Sequence, residues 1–110
     1  MKFAIPTAEG KLTAHFGHSQ EFVLLHVEEN RITKKEVLTP PPHEPGVLPR
    51  WLHDLGTDVI IAGGMGQRAV DLFSQNNIRV ITGAPCLAPE DLVEQYLKNS
   101  LVTGSNVCDH

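Results

Sequence analysis

Cysteine is scarce in this chain, and so are aromatic residues and long apolar runs. The two cysteines, Cys86 and Cys108, are not in C-x-x-C spacing, which argues against a closed structural zinc site. No run of Lys and Arg occurs, and the formal net charge is −4. That balance argues against a nucleic-acid partner, since phosphate binding needs a basic surface. Near the N-terminus the apolar stretch is only Phe3 to Ile5. It is too short for a secretory h-region and falls far below the roughly 20 residues of a membrane span. The expectation is a cytoplasmic protein, away from membranes, with both thiols reduced. What remains is an ordinary globular composition, 41% hydrophobic and 20% charged. It suffices for one domain over 1–110 with a core of its own, 98–110 being expected as a mobile tail.

The chain is organised around Asp58 to Asn77, DVIIAGGMGQRAVDLFSQNN. A short apolar run, Val59 to Ala62, leads through Gly63-Gly64-Met65-Gly66 into a helical pattern with apolar residues at Ala69, Val70 and Phe73. Asn76-Asn77 can supply a left-handed cap. Strand, glycine loop and helix is a layout that turns free backbone N–H groups and the positive end of the helix dipole toward an anion. It is not a Walker loop, because no Lys-Ser/Thr follows Gly66, and GGMG is shorter than the dinucleotide fingerprint. The plainer reading is a tight strand-to-helix turn with glycines for close packing.

Lys2 to Ile5 reads as a strand stopped by Pro6, and residues 7–20 as a polar loop carrying His15 and His18. Glu21 to Val27 is a buried strand, in which His26 is expected to be structural. Arg31 to Leu38 is more polar and suits a sheet edge. Residues 39–46, with four prolines and His43, form a stiff connector. Val47 to Leu55 is a helix with Leu48, Trp51, Leu52 and Leu55 in one stripe. Trp51 is expected at its centre, Gly56 at C′, and His53 on the solvated side. After the glycine loop and its helix, Ile78 to Ile81 reads as a short buried strand followed by a loop with Cys86. Pro89 opens a last helix with Glu90 and Asp91 in its first turn and Leu92, Val93, Tyr96 and Leu97 on its core side.

The resulting order is β-β-β-α-β-α-β-α. Right-handed crossovers place the glycine strand parallel to the first strand. An α/β fold follows, with a five-stranded mixed sheet of order 3-2-1-4-5 and helices on both faces. The loops after strands 1, 4 and 5 then gather beside the switch point. Soft or borderline metal-ligand types meet there: His15, His18, Met65 and Cys86. Cys108 and His110 stand at i and i+2, on one side of an extended tail. Singly, each has a plainer role, Cys86 as a small buried side chain, Met65 as a loop filler and His18 on the surface.

The segments HFGHSQEFVLLHV, HEPGVLPRWLHDLGTDVIIAGGMGQRAVDLFSQNNIRVITGA and NVCDH, in order along nearly the whole chain, resemble the dinitrogenase iron–molybdenum cofactor biosynthesis family. That family includes nitrogenase accessory proteins that carry the cofactor or its precursor, and small stand-alone proteins. The resemblance implies a ribonuclease H-like fold and a non-catalytic metal–sulfur cluster carrier, of the iron–molybdenum or iron–sulfur type. On that reading Gly63, Gly64, Met65 and Gly66 cradle the cofactor, and His15, His18, Cys108 and His110 offer metal ligands. A cluster donor or acceptor protein would be the partner. The nuclease chemistry of ribonuclease H does not transfer, because the first strand, Lys-Phe-Ala-Ile, holds no acid and Asp58 lies at the wrong end of its strand. Two rivals stay open: an enzyme or sensor for a phosphate-bearing small molecule at the GGMG loop, and a ligand-free regulatory module.

Overall fold

The computed structural model describes residues 1–13, 20–41 and 46–104. Along these residues run β1 (Lys2–Ala8), β2 (Lys11–Leu12), β3 (Glu21–Glu28), β4 (Arg31–Leu38), α1 (Val47–Asp54), β5 (Val59–Ile61), α2 (Gln67–Gln75), β6 (Arg79–Ile81) and α3 (Pro89–Leu97). The sheet order is β4-β3-β1-β5-β6, with β2 paired to β1. β1, β3 and β4 form the antiparallel meander, and β5 and β6 join parallel to β1. The expected strand order holds, with one short strand added.

That added strand corrects the reading of the first two segments. β1 does not stop at Pro6 but runs through it to Ala8. Lys2 donates its N–H to Asp58 and accepts from the Asp58 amide, so even-numbered residues of β1 turn their polar backbone groups away from β3. Pro6 shares that parity and has no ladder bond to β3 to lose, while its carbonyl accepts from Thr13. The chain then reverses through Glu9 and Gly10, both with positive φ, into β2. Two successive left-handed residues make the hairpin turn whose twist suits the flanking strands. The same device, Glu29 and Asn30, joins β3 to β4.

Period-two alternation sends side chains to two core layers. Phe3, Ile5, Val23, Leu25, Val59 and Ile61 meet Leu92 and Val93 of α3 on one face. Ala4, Phe22, Leu24 and Ile60 meet Leu48 and Leu52 of α1 and Phe73 of α2 on the other. Helices therefore cover both faces. Each ends alike. After the C-cap, Gly56, Asn77 and Asn99 take positive φ. The amides of Thr57, Ile78 and Ser100 reach back to the carbonyls of Leu52, Phe73 and Gln95. These are Schellman closures, and they satisfy carbonyls that the helix leaves without partners.

Three placements differ from expectation or refine it. Trp51 is half-buried at the rim of the α1 layer, edge-on to Phe22 with ring centroids 5.7 Å apart. Leu52, not Trp51, is the enclosed centre of the stripe. β6 is an edge strand, and of the Ile78–Ile81 run only Ile78 is fully buried. His26, expected to be structural, sits on the α1 and α2 side and bonds Glu36 of β4 at 2.8 Å. That bond, ahead of the opposing desolvation and the nearby Lys34, holds the Glu36 carboxyl below its ordinary range.

These placements set an order of costs. Leu52→Ala, which empties an enclosed site, should cost about 3 kcal/mol, and Trp51→Ala about 2 kcal/mol, because the half-exposed indole leaves less of a cavity. Urea unfolding of both variants measures this. A Trp51→Ala cost clearly above that of Leu52→Ala would contradict the rim position.

Candidate functional site

Because β5 and β6 run parallel to β1, their C-terminal ends open on one side of the sheet, and the connecting loops there are tied together. The Gly83 amide donates to the Gly63 carbonyl at 2.6 Å, and the Ala84 amide to Ala62 at 3.1 Å. Leu12 donates to the Leu87 carbonyl at 3.0 Å. Thr13 and Gln20 are bonded to Pro6 and Thr7 of β1. Thr13 and Gln20 therefore lie at the same end of the sheet as the glycine loop. Such gathering at the carboxyl ends of parallel strands is where open α/β sheets place their ligands.

Gly66 is the open point of this end. Its φ is −65° and ψ 153°, values any residue adopts, and a Cβ built there meets nothing within 4 Å. Neither backbone conformation nor crowding demands glycine at this position, where it serves as a tolerable N-cap and also leaves the backbone open to close approach. Gly66 is the N-cap of α2 and has no side chain to bond the first free amides, and no acidic residue sits in the first turn. α3 differs: Glu90 and Asp91 occupy its first turn. The Glu90 carboxyl is held below its ordinary range, chiefly by its own backbone N–H, with Lys35 adding to the effect. The start of α2 keeps its positive end bare, the electrostatic condition for holding an anion.

The sequence-derived residues fall into three groups. Gly63 and Gly64 are buried at the loop, and Gly66 lies half-exposed at its rim. Met65 is fully enclosed (0% exposed) among Ala4, Phe73 and their neighbours. Its thioether is core, which corrects its reading as a soft ligand and leaves its backbone as the part the loop can offer. His15, His18, Cys108 and His110 lie outside the described residues, as does His43. Cys86, expected to be buried, is exposed on the loop after β6. His53 is exposed as expected, and its Nδ1–H donates to the Asn76 carbonyl at 3.0 Å. Among the described residues, no three His, Cys, Asp or Glu side chains form a metal site.

By sequence the loop has no Lys or Arg, with Arg68 and Arg79 nearest and Arg68 expected one turn inside the helix. Helix α2 begins at Gln67, so Arg68 in fact occupies the first turn, and it is exposed. Among the described residues it has no ion-pair partner. The signal lay in the helix boundary, which apolar periodicity places less sharply than the helix itself. A groove of about 580 Å³ lined by Arg31, Ile32, Leu97 and Lys98 among others lies elsewhere, at the far end of α3.

Fold and loop geometry together define a small α/β protein with an uncapped helix start at the carboxyl end of its parallel strands. The family model described as dinitrogenase iron-molybdenum cofactor matches residues 1–99, and the chain belongs to that family. The Methanocaldococcus jannaschii protein MJ0580, itself uncharacterized, is 26% identical over 106 residues, covering 92% of this chain and 89% of that one. The crystal structure of PH0822 is similar at a TM-score of 0.88 and 28% identity, covering 96% of each chain. The apo form of the orange protein from Desulfovibrio gigas shares the fold at a TM-score of 0.73 and 18% identity, over 96% of this chain and 93% of that one. No helix among the described residues is long and apolar enough to cross a membrane.

Two glycines at this end should respond oppositely. Gly66→Ala should change stability by less than about 0.5 kcal/mol, since a weaker N-cap is offset by a less flexible unfolded chain. Gly83→Ala should cost about 2 kcal/mol, because Gly83 holds φ +76° and a Cβ there would overlap the Gly104 carbonyl. Thermal or urea unfolding of both variants decides it. Equal costs would mean that Gly66 is as structurally constrained as Gly83.

Proposed function

We propose that the chain is a non-catalytic carrier that binds an anionic metal–sulfur cluster, of the iron–molybdenum or iron–sulfur type, reversibly at the Gly63–Gly66 end. The observation that carries this reading is the bare start of α2 behind Gly66, a glycine the fold does not require. Membership of the dinitrogenase iron-molybdenum cofactor family supports the choice of cargo over other anions. Backbone N–H groups solvate cluster sulfides without bonding to the metal, and this suits a cargo that must be released. His15 and His18, between Thr13 and Gln20 in sequence, and Cys108 and His110 near the C-terminus are the proposed metal ligands. Few protein ligands on a cluster favour transfer over retention. The setting is cytoplasmic, the architecture ribonuclease H-like, and the partner a protein that donates or accepts the cluster.

Exposed Arg68 in the first turn of α2 also favours a second reading, a phosphate-bearing small molecule on the same amides. The two readings part on the metal.

Anaerobic reconstitution with iron, molybdenum and sulfide, followed by gel filtration and metal analysis, tests the carrier. The wild-type chain should emerge with metal and sulfide bound. Gly66→Val fills the open space and should weaken retention about tenfold or more, the scale of losing one charge-assisted hydrogen bond. His15→Ala should weaken it as well, and the double change Cys108→Ser, His110→Ala should do so where the C-terminal residues contribute ligands. A wild type that retains nothing, or full retention by both Gly66→Val and His15→Ala, would refute the site.

A further inference from the structure

Beyond α3 the chain does not leave the molecule at once. The Ser100 amide closes the helix on Gln95, Leu101 packs half-buried against the α3 core layer, and Val102 stands out into solvent at 79% exposure. The Gly104 amide then donates to the Gly83 carbonyl at 2.7 Å. Residues 101–104 thus form a strap fixed at both ends. A cleft of about 250 Å³ lined by Ile81, Tyr96, Asn99, Leu101 and Thr103 lies against it. Part of the span expected as a mobile tail is therefore anchored.

The strap's outer anchor reaches the glycine loop in two hydrogen bonds. Gly104 N–H donates to the carbonyl of Gly83, and Gly83 N–H donates to the carbonyl of Gly63. A turn that needs positive φ accepts Asn as well as Gly, so the turn alone does not account for Gly83. The backbone of Gly104 does, because it occupies the space where any Cβ on Gly83 would lie. In the reverse direction there is room, as a Cβ on Gly104 would meet only the Gly83 carbonyl oxygen, at 3.8 Å. The contact is asymmetric, and this lets one partner be changed while the other serves as control.

We propose that the Gly83–Gly104 contact is a latch that couples the C-terminal strap to the glycine loop, so that strap attachment sets the order of Gly63–Gly66. The peptide group between Gly83 and Ala84 accepts from Gly104 and donates its Ala84 N–H to the Ala62 carbonyl, whose own peptide group carries the Gly63 N–H. Peptide groups in series share polarisation and position, so freeing Gly104 loosens the entry to the glycine loop. Linkage makes the effect reciprocal, since whatever orders the glycine loop tightens the strap. The latch's part in ligand residence rests on the carrier reading above; its coupling to the loop does not.

Amide exchange followed by NMR on the full-length apo chain tests it. In the wild type and in Gly104→Ala, the residue-104 amide should be protected about tenfold or more, as expected for a hydrogen bond on an otherwise exposed strap. In Gly83→Ala that protection should vanish, and exchange at Gly63–Gly66 should quicken about threefold or more, with Leu52 and Ile60 unchanged. Gly104→Pro deletes the donor without touching the β6 turn, and it should quicken the same loop amides even if Gly83→Ala fails to fold. An unprotected residue-104 amide in the wild type would overturn the latch, as would wild-type loop exchange in Gly104→Pro. Cluster release is read separately on reconstituted protein. A wild type that binds no cluster defeats the carrier reading, and exchange alone then judges the latch. A bound cluster released at equal rates by wild type and Gly104→Pro overturns the latch's role in residence.

Discussion

The parallel pairing of β5 with β1 is the constraint on which the rest depends. Its register is short, Phe3 with Val59 and Ala4 with Ile60, extended by the two bonds between Lys2 and Asp58. Parallel pairing requires a long crossover, and the stretch from Pro40 through α1 supplies it. It also aims the ends of β1, β5 and β6 the same way. Without it the glycine loop, the Gly83 turn and residues Thr13 and Gln20 would not share one end of the sheet. The apolar faces of β1 and β5 pay for this, being buried on both sides between α3 and the α1–α2 pair.

At that end, residues that look alike in sequence have separate physical reasons. Gly83 answers to positive φ and to the backbone of Gly104, while Gly66 answers to neither. Met65 closes the core beneath the loop. Once these structural needs are assigned, what the described residues present to solvent at this end includes an uncapped helix start, an open glycine, exposed Arg68 and the Cys86 thiol. The helix start and Arg68 both put positive charge at this end of the sheet.

Much of the fold was legible in sequence because its signals are local or periodic. The Leu48, Leu52, Leu55 spacing marked α1, Gly56 and Asn77 marked helix ends, and Pro89 with Glu90 and Asp91 marked the start of α3. The polar pattern of Arg31–Leu38 placed β4 at an edge. What escaped depends on neighbours distant in sequence. Pro6 reads as a stop until its parity shows that its missing N–H faces away from β3. Glu9-Gly10 is a weaker hairpin signal than Asn-Gly, so β2 passed as loop. Trp51 sits at the rim because Leu52 fills the centre, and one stripe position looks like another until the partner helix is known. Of the site, the glycine loop and the gathering of its neighbours were legible. The exposure of Cys86, the inward turn of Met65 and the position of Arg68 were not, because each is set by a boundary or a packing choice of one residue.

The most direct test of a backbone anion site is to titrate the ¹⁵N-labelled chain with tetrathiomolybdate, a simple soluble dianion of molybdenum and sulfide, under anaerobic conditions. Binding at the bare start of α2 should move the amide resonances of Gly64, Met65, Gly66, Gln67, Arg68 and Ala69 first and furthest, and Gly66→Val should suppress the shifts. Shifts centred instead on Arg31 and Lys98, in the groove at the far end of α3, or no shifts at all, would contradict a glycine-loop site.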